Sequence, residues 1–189
     1  MNRDSILIID VETTGLCPIS RDIWEVALVS YQNRGGAVLN VKIKVNADAC
    51  YWDLEALRIS RTKGMDGERY YEKQDAVYKI YSFVRSTYGR EKPILAGHNV
   101  GFDISFLKKL FHPHPFDFVD YHSIDTFSMA QAMTAAGLLP NGMDRLKDLA
   151  EYYGIKNINP HSALSDADTT RGILKAMFAD LDVMKEVSR

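Results

Sequence analysis

Apolar positions along this chain follow two rhythms, and the change from one to the other divides it into elements. The first is a run of four apolar residues, Ile6-Leu7-Ile8-Ile9, that passes directly into Asp10-Val11-Glu12. An unbroken, mostly β-branched run predicts a buried strand, and Thr13-Thr14-Gly15 predicts the turn that ends it. Residues 23–32 and 37–45, joined at Arg34-Gly35-Gly36, predict a second and third strand in an antiparallel meander. From Asp53 the rhythm becomes helical: a short segment at 54–60, a loop at 63–67, then a helix over 75–87 whose stripe is Val77, Ile80, Tyr81 and Val84. Residues 93–97 predict a fourth strand and 102–110 a helix, which His112-Pro113-His114-Pro115 breaks. Residues 116–119 predict a fifth strand, 123–136 and 143–153 two helices, the second capped by Gly154, and 162–177 the last helix. The expected fold is α/β, a mixed five-stranded sheet with strands 1–3 antiparallel and strands 4 and 5 parallel, flanked by helices.

Composition narrows this picture. A length of 189 residues with 46% hydrophobic content suits one core, so a single domain over 1–189 is expected. The net charge of −2 gives no overall field to draw in a long polyanion, so any contact with one is local. Cys17 and Cys50 form neither a disulfide framework nor a zinc spacing, which points to a reducing compartment. Neither a leader pattern nor a membrane-length apolar run is present, and the expectation is a soluble, cytoplasmic protein with no membrane partner.

The chemistry gathers in three stretches. Asp10 and Glu12, two apart on a strand, share a face, and paired carboxylates at the end of a buried strand call for a cation between them. Asp103 falls in the first turn of a helix that follows the fourth strand, where open α/β sheets carry their sites. His161 precedes Asp166 by five positions at the start of the last helix, so a loop histidine can lean over that carboxylate. Asp168 lies about 200° around the helix from Asp166 and is read as a cap or a solvated face.

Together these stretches resemble the DnaQ-like exonucleases of the DEDDh type, within the ribonuclease H-like superfamily. Asp10-Val11-Glu12-Thr13-Thr14-Gly15 matches that family's first motif, His98-Asn99-Val100-Gly101-Phe102-Asp103 its second, and His161 through Asp166 its third. Ser162 stands where the tyrosine subtype carries Tyr, which points to the histidine branch. The resemblance implies a hydrolase, a 3′-to-5′ exonuclease that releases nucleoside 5′-monophosphates with two divalent ions, Mg²⁺ or Mn²⁺, held by Asp10, Glu12, Asp103 and Asp166. Asp10 would bridge the ions, Glu12 and Asp166 complete one site, and Asp103 serve the other, partly through water. His161 would be the general base, a role suited to imidazole near neutral pH. Substrate contacts are implied at Thr13, Thr14, Leu16, His98, Asn99 and Phe102, although Phe102 reads equally as a core residue. One departure is Ile59-Ser60-Arg61, where many relatives carry His-Gly or Asn-Gly beside the bound base.

The expected partner is a single-stranded 3′ end, with DNA favoured in a repair or proofreading setting. RNA trimming, similar to ribonuclease T or oligoribonuclease, is the rival within the class, because one 2′-hydroxyl contact separates the two. A non-catalytic end-binding or polymerase accessory subunit is the rival outside it. A homodimer and a polymerase partner both stay open at this level.

Overall fold

The protein is described by a computed structural model over residues 2–32, 36–45, 52–54, 56, 58 and 69–187. Among these residues the strands are β1 (Ile6–Thr13), β2 (Ile23–Ser30), β3 (Val38–Ile43), β4 (Tyr70–Tyr71), β5 (Ile94–Gly97) and β6 (Ser123–Asp125). The helices are α1 (Lys73–Tyr88), α2 (Val100–Phe111), α3 (Thr126–Ala135), α4 (Leu146–Tyr152) and α5 (Ala163–Val187). They form one mixed sheet in the order β4-β3-β2-β1-β5-β6. The pairs β1–β2 and β2–β3 are antiparallel, whereas β5 lies parallel to β1, and β6 parallel to β5.

The antiparallel-then-parallel architecture is the expected one, with two differences. A sixth strand, β4, adds two residues parallel to the end of β3. The last strand is Ser123–Asp125, which pairs with Leu95–Gly97, and not residues 116–119. Those residues are apolar for another reason: Phe116 and Phe118 stack around Phe111, with ring centroids 5.4 and 4.8 Å from it. Burial in an aromatic cluster and burial in a sheet leave the same mark on sequence. Asp125 caps α3 by accepting the Phe127 N–H at 3.2 Å. Gly154 ends α4 at φ +64°, as expected of a helix-terminating glycine. The expected helix at 54–60 and loop at 63–67 lie largely or wholly outside the described residues.

Alternation along β1 places the chemistry. Leu7, Ile9 and Val11 pack with Ile80 and Val84 of α1 and Phe106 and Leu107 of α2, on one face of the sheet. Ile6 and Ile8 pack on the other face against Ala163, Ala167 and Leu174 of α5. Asp10 and Glu12 are in step with Ile6 and Ile8, so they must face α5. Ala163 and Ala167 have no exposed surface, which lets α5 lie close to the strands and brings its first turn to the end of β1. Each fully buried Ile or Leu in these layers contributes about 1.5 to 3 kcal/mol. A third cluster, with Met133 of α3, Leu149 of α4 and Ile173 and Met177 of α5, anchors the outer side of α5.

Candidate active site

Asp10 is half-buried in the second half of β1. Burial pushes its carboxyl well above the usual carboxylate range, and the charges of Asp103, Asp166, Glu12 and Glu25 push it the same way. Asp103, in the first turn of α2, is 5% exposed. Its Oδ1 accepts the Val11 N–H at 2.9 Å, which ties α2 to the strand residue between the two acids of β1. Burial pushes Asp103 up to about 8, with the charge of Asp125 acting in the same direction, although the hydrogen bonds it accepts oppose this. Asn99, the N-cap of α2, adopts a left-handed conformation with φ 61° and ψ 43°, and its N–H donates to Asp125 Oδ1 at 2.7 Å. One carboxylate thus fixes both the start of α3 and the turn that presents Asp103.

Ligating atoms of Glu12, His161 and Asp166 lie within 4.8 Å of one another. Asp166 Oδ2 accepts the His161 N–H at 2.9 Å, and Oδ1 accepts a hydrogen bond from Asn157 Nδ2 at 2.6 Å. Ser165 Oγ donates to Asn157 Oδ1 at 2.7 Å and accepts the Asn159 N–H at 3.0 Å. This network holds His161 exposed, at φ 62°. Asp168 is exposed and paired with Arg171, so it belongs to the solvated face.

Of the remaining predicted residues, Thr13, Leu16 and Phe102 line a cleft of about 320 Å³ beside Glu12, together with Val11 and Asp53 among others. Leu16 is 80% exposed, an apolar side chain held out at the rim. Phe102 lines the cleft and packs on Phe106, centroid to centroid at 4.8 Å, so both readings of it hold at once. Thr13 Oγ1 donates to Gly15 O at 2.7 Å. Thr14 turns inward: it is buried, and its Oγ1 accepts the Asp22 N–H at 3.0 Å. His98 has both ring nitrogens engaged, Nδ1 3.1 Å from Thr126 Oγ1 and Nε2 3.1 Å from Asp144 O. The carbonyl can only accept, so Nε2 carries a proton, and burial lowers the pKa of the ring.

Three residues of this neighbourhood were not singled out from the sequence: Glu25, Asp125 and Asn157. Glu25 is 2% exposed, lies opposite Glu12 across the β1–β2 ladder, and accepts a hydrogen bond from Asn40 Nδ2 at 2.9 Å. A charged residue inside a strand that is otherwise apolar or small was the available signal. The charges acting on Asp10 are those of carboxylates, so the donor set is hard oxygen. Such a set suits a divalent cation of the Mg²⁺ or Mn²⁺ kind.

A family model described as "Exonuclease", of the RNase T type, matches residues 7–174. The chain belongs to the RNase T exonuclease family. It is thereby a DnaQ-like member of the ribonuclease H-like superfamily. Members similar to it include a PolC-type DNA polymerase III from Pediococcus pentosaceus, 28% identical over 166 residues that make up 87% of this chain and 11% of that protein. The 3′-5′ exonuclease DinG of Bacillus subtilis is 25% identical over 178 residues, 90% of this chain and 17% of that protein. The chain therefore spans less than a fifth of the curated relatives' length. In fold it is similar to E. coli Exonuclease I in complex with a dT13 oligonucleotide, with a TM-score of 0.72 at 20% identity over 96% of this chain and 42% of that one. The same enzyme with a dA16 oligonucleotide gives a TM-score of 0.71 at 22% identity, over 93% of this chain and 40% of that one. No helix among the described residues is long and apolar enough to cross a membrane.

Proposed function

We propose that this chain is a metal-dependent 3′-to-5′ exonuclease that removes nucleoside 5′-monophosphates from single-stranded ends, with DNA as the favoured substrate. The observation that carries the reading is the convergence on Asp10 of Asp103, Asp166 and Glu12, three carboxylates from separate elements, with His161 beside two of them. Asp10, Glu12, Asp103 and Asp166 are the residues to hold two divalent ions. When bound, such a pair supplies a nucleophilic water and stabilises charge on the attacking and leaving oxygens.

The chain's own groups do the rest. His161 takes the proton of the attacking water on its exposed ring, while the Asp166 carboxylate and Asn157 amide fix the loop that carries it. Leu16 and Phe102 form two walls of the cleft and accept the faces of the terminal nucleotide without reading its identity. Thr13 lines the same cleft, and Asn99 stands exposed at the start of α2, near the Asp103 side. Thr14 and His98 serve as supports, since their polar atoms are already used within the protein. Polarity and substrate are drawn from the relatives, one named a 3′-5′ exonuclease and others solved with dT13 and dA16. The likeness to PolC-type polymerases favours a second setting for the same hydrolysis, as proofreading beside a polymerase.

The test is digestion of 5′-labelled single-stranded DNA and RNA with Mg²⁺, with Mn²⁺ and with EDTA, beside Asp10→Ala. A ladder shortening by one nucleotide from the 3′ end, abolished by EDTA and by the substitution, is expected. Internal cuts, or cleavage indifferent to EDTA, would contradict the proposal.

A further inference from the structure

The loop that follows β1 is held by Thr14 and Lys109, and it is fastened to the 52–54 segment by Asp53, which lies outside the acidic cluster. Asp53 Oδ2 accepts the Leu16 N–H at 3.1 Å, and its Oδ1 accepts hydrogen bonds from Arg21 Nε at 2.9 Å and Nη2 at 2.7 Å. Its own N–H donates to Thr14 O at 2.8 Å. Leu16 and Arg21 lie at opposite ends of the loop, so one carboxylate both closes it and docks it on the 52–54 segment. Gly15 makes the approach feasible: a Cβ there would lie 2.0 Å from Asp53 Oδ2 and 2.9 Å from Arg21 Nε.

We infer that Asp53 is the positioning residue of the terminal-nucleotide cleft, holding Leu16 at a fixed distance from Phe102 through the Leu16 N–H and Arg21. The inference rests on the nuclease reading above and assigns it a determinant of substrate binding. Asp53 lines the same cleft as Leu16 and Phe102, but three donors already occupy its two oxygens, so it holds the wall and does not read the base. An exposed leucine gains nothing from water by staying at the rim, so its place must be set by the backbone behind it. A wall fixed in advance spares the substrate the cost of ordering it, and that saving appears in affinity.

The chain supplies a reporter of the docking. Its two tryptophans, Trp24 and Trp52, are both buried, with ring centroids 6.5 Å apart, and Trp52 adjoins Asp53. Binding of a fluorescein-labelled dT oligomer is measured by anisotropy in Ca²⁺ for wild type, Asp53→Asn and Asp53→Ala, with tryptophan emission and melting alongside. Turnover of the oligomer and of bis(p-nitrophenyl) phosphate, which carries no nucleoside, is then followed in Mn²⁺.

Asp53→Ala is expected to weaken oligomer binding about tenfold and raise KM to match, with kcat falling less than about threefold; Asp53→Asn should fall between. The loss on the nucleoside-free diester should be smaller than on the oligomer. Oligomer binding within twofold of wild type in Asp53→Ala, or a fall in kcat at unchanged KM, would overturn the inference. Should Asp53→Ala lose its fold by tryptophan emission and melting, Asp53→Asn decides by the same criteria. A wild type that binds the oligomer without cleaving it would defeat the nuclease reading, while the binding comparison still decides this one.

Discussion

Asp10 and Asp103 stand on the sheet side of the acidic cluster, His161 and Asp166 on the side of α5, and the two sides are built on opposite principles. On the sheet side the acids are fixed by regular structure: Asp10 by β1, Asp103 by the first turn of α2 and by a bond to the backbone of Val11. Their cost is electrostatic, since burial holds both carboxyls above the usual range. On the α5 side the cost is conformational. His161 sits exposed at φ 62°, a conformation that costs a non-glycine residue about 1 to 2 kcal/mol, and Asn157, Ser165 and Asp166 hold it there. The two carboxyls are thus held where ionising them is costly, and the His161 ring, the proposed base, is placed where it can meet water.

The sharpest way to break this contrast is to remove one residue from each side. Asp10→Asn should cut turnover by about 10⁴-fold, the equivalent of several kcal/mol of lost charge stabilisation. The same substitution should raise the melting temperature of the metal-free protein, because it removes a carboxyl that folding forces to keep its proton among other carboxylates. His161→Ala should cost about 10³-fold in turnover while leaving divalent-ion affinity and melting close to wild type. A His161→Ala protein with normal turnover would remove the base from this account.

Asn157→Ala tests the support of the α5 side. Losing the amide that holds Asp166 Oδ1 should lower ion affinity by about tenfold, measured by calorimetry, with little change at the sheet side. The smallest expected effect is one of pH on the metal-free protein. An unfolded aspartate ionises near pH 4, whereas folded Asp103 keeps its proton up to about 8. Between those values the folded state binds more protons, so stability should decline as pH rises and level off above about 8. The melting gain from Mg²⁺ should accordingly be larger at pH 8.5 than at pH 5.5, and a gain independent of pH would contradict the assignment.

The sheet side was the more legible of the two in the sequence. A buried run ending in Asp10 and Glu12 announces its own geometry through the alternation of strand side chains, and Asp103 follows a strand-to-helix turn. The supports were not legible, because each depends on a partner far along the chain. Asn157 and Ser165 read as loop and helix-start residues until folding brings them to Asp166, and His98 reads as a free contact until Thr126 and Asp144 occupy its ring. Residues 116–119 misled for a related reason, since Phe116 and Phe118 pack against other aromatic rings and not against neighbouring strands. The three-residue β6 was hidden in what looked like the first turn of a helix.

The central claim is that carboxylates from β1, α2 and α5 form one cation site. Calorimetric titration of the metal-free protein with Mn²⁺ at pH 7, in two buffers of different ionisation enthalpy, tests it most directly. The account predicts two ions per chain, net proton release as Asp103 gives up its proton, and loss of binding in Asp10→Asn. Binding of Mn²⁺ without proton release, or undiminished in Asp10→Asn, would contradict it.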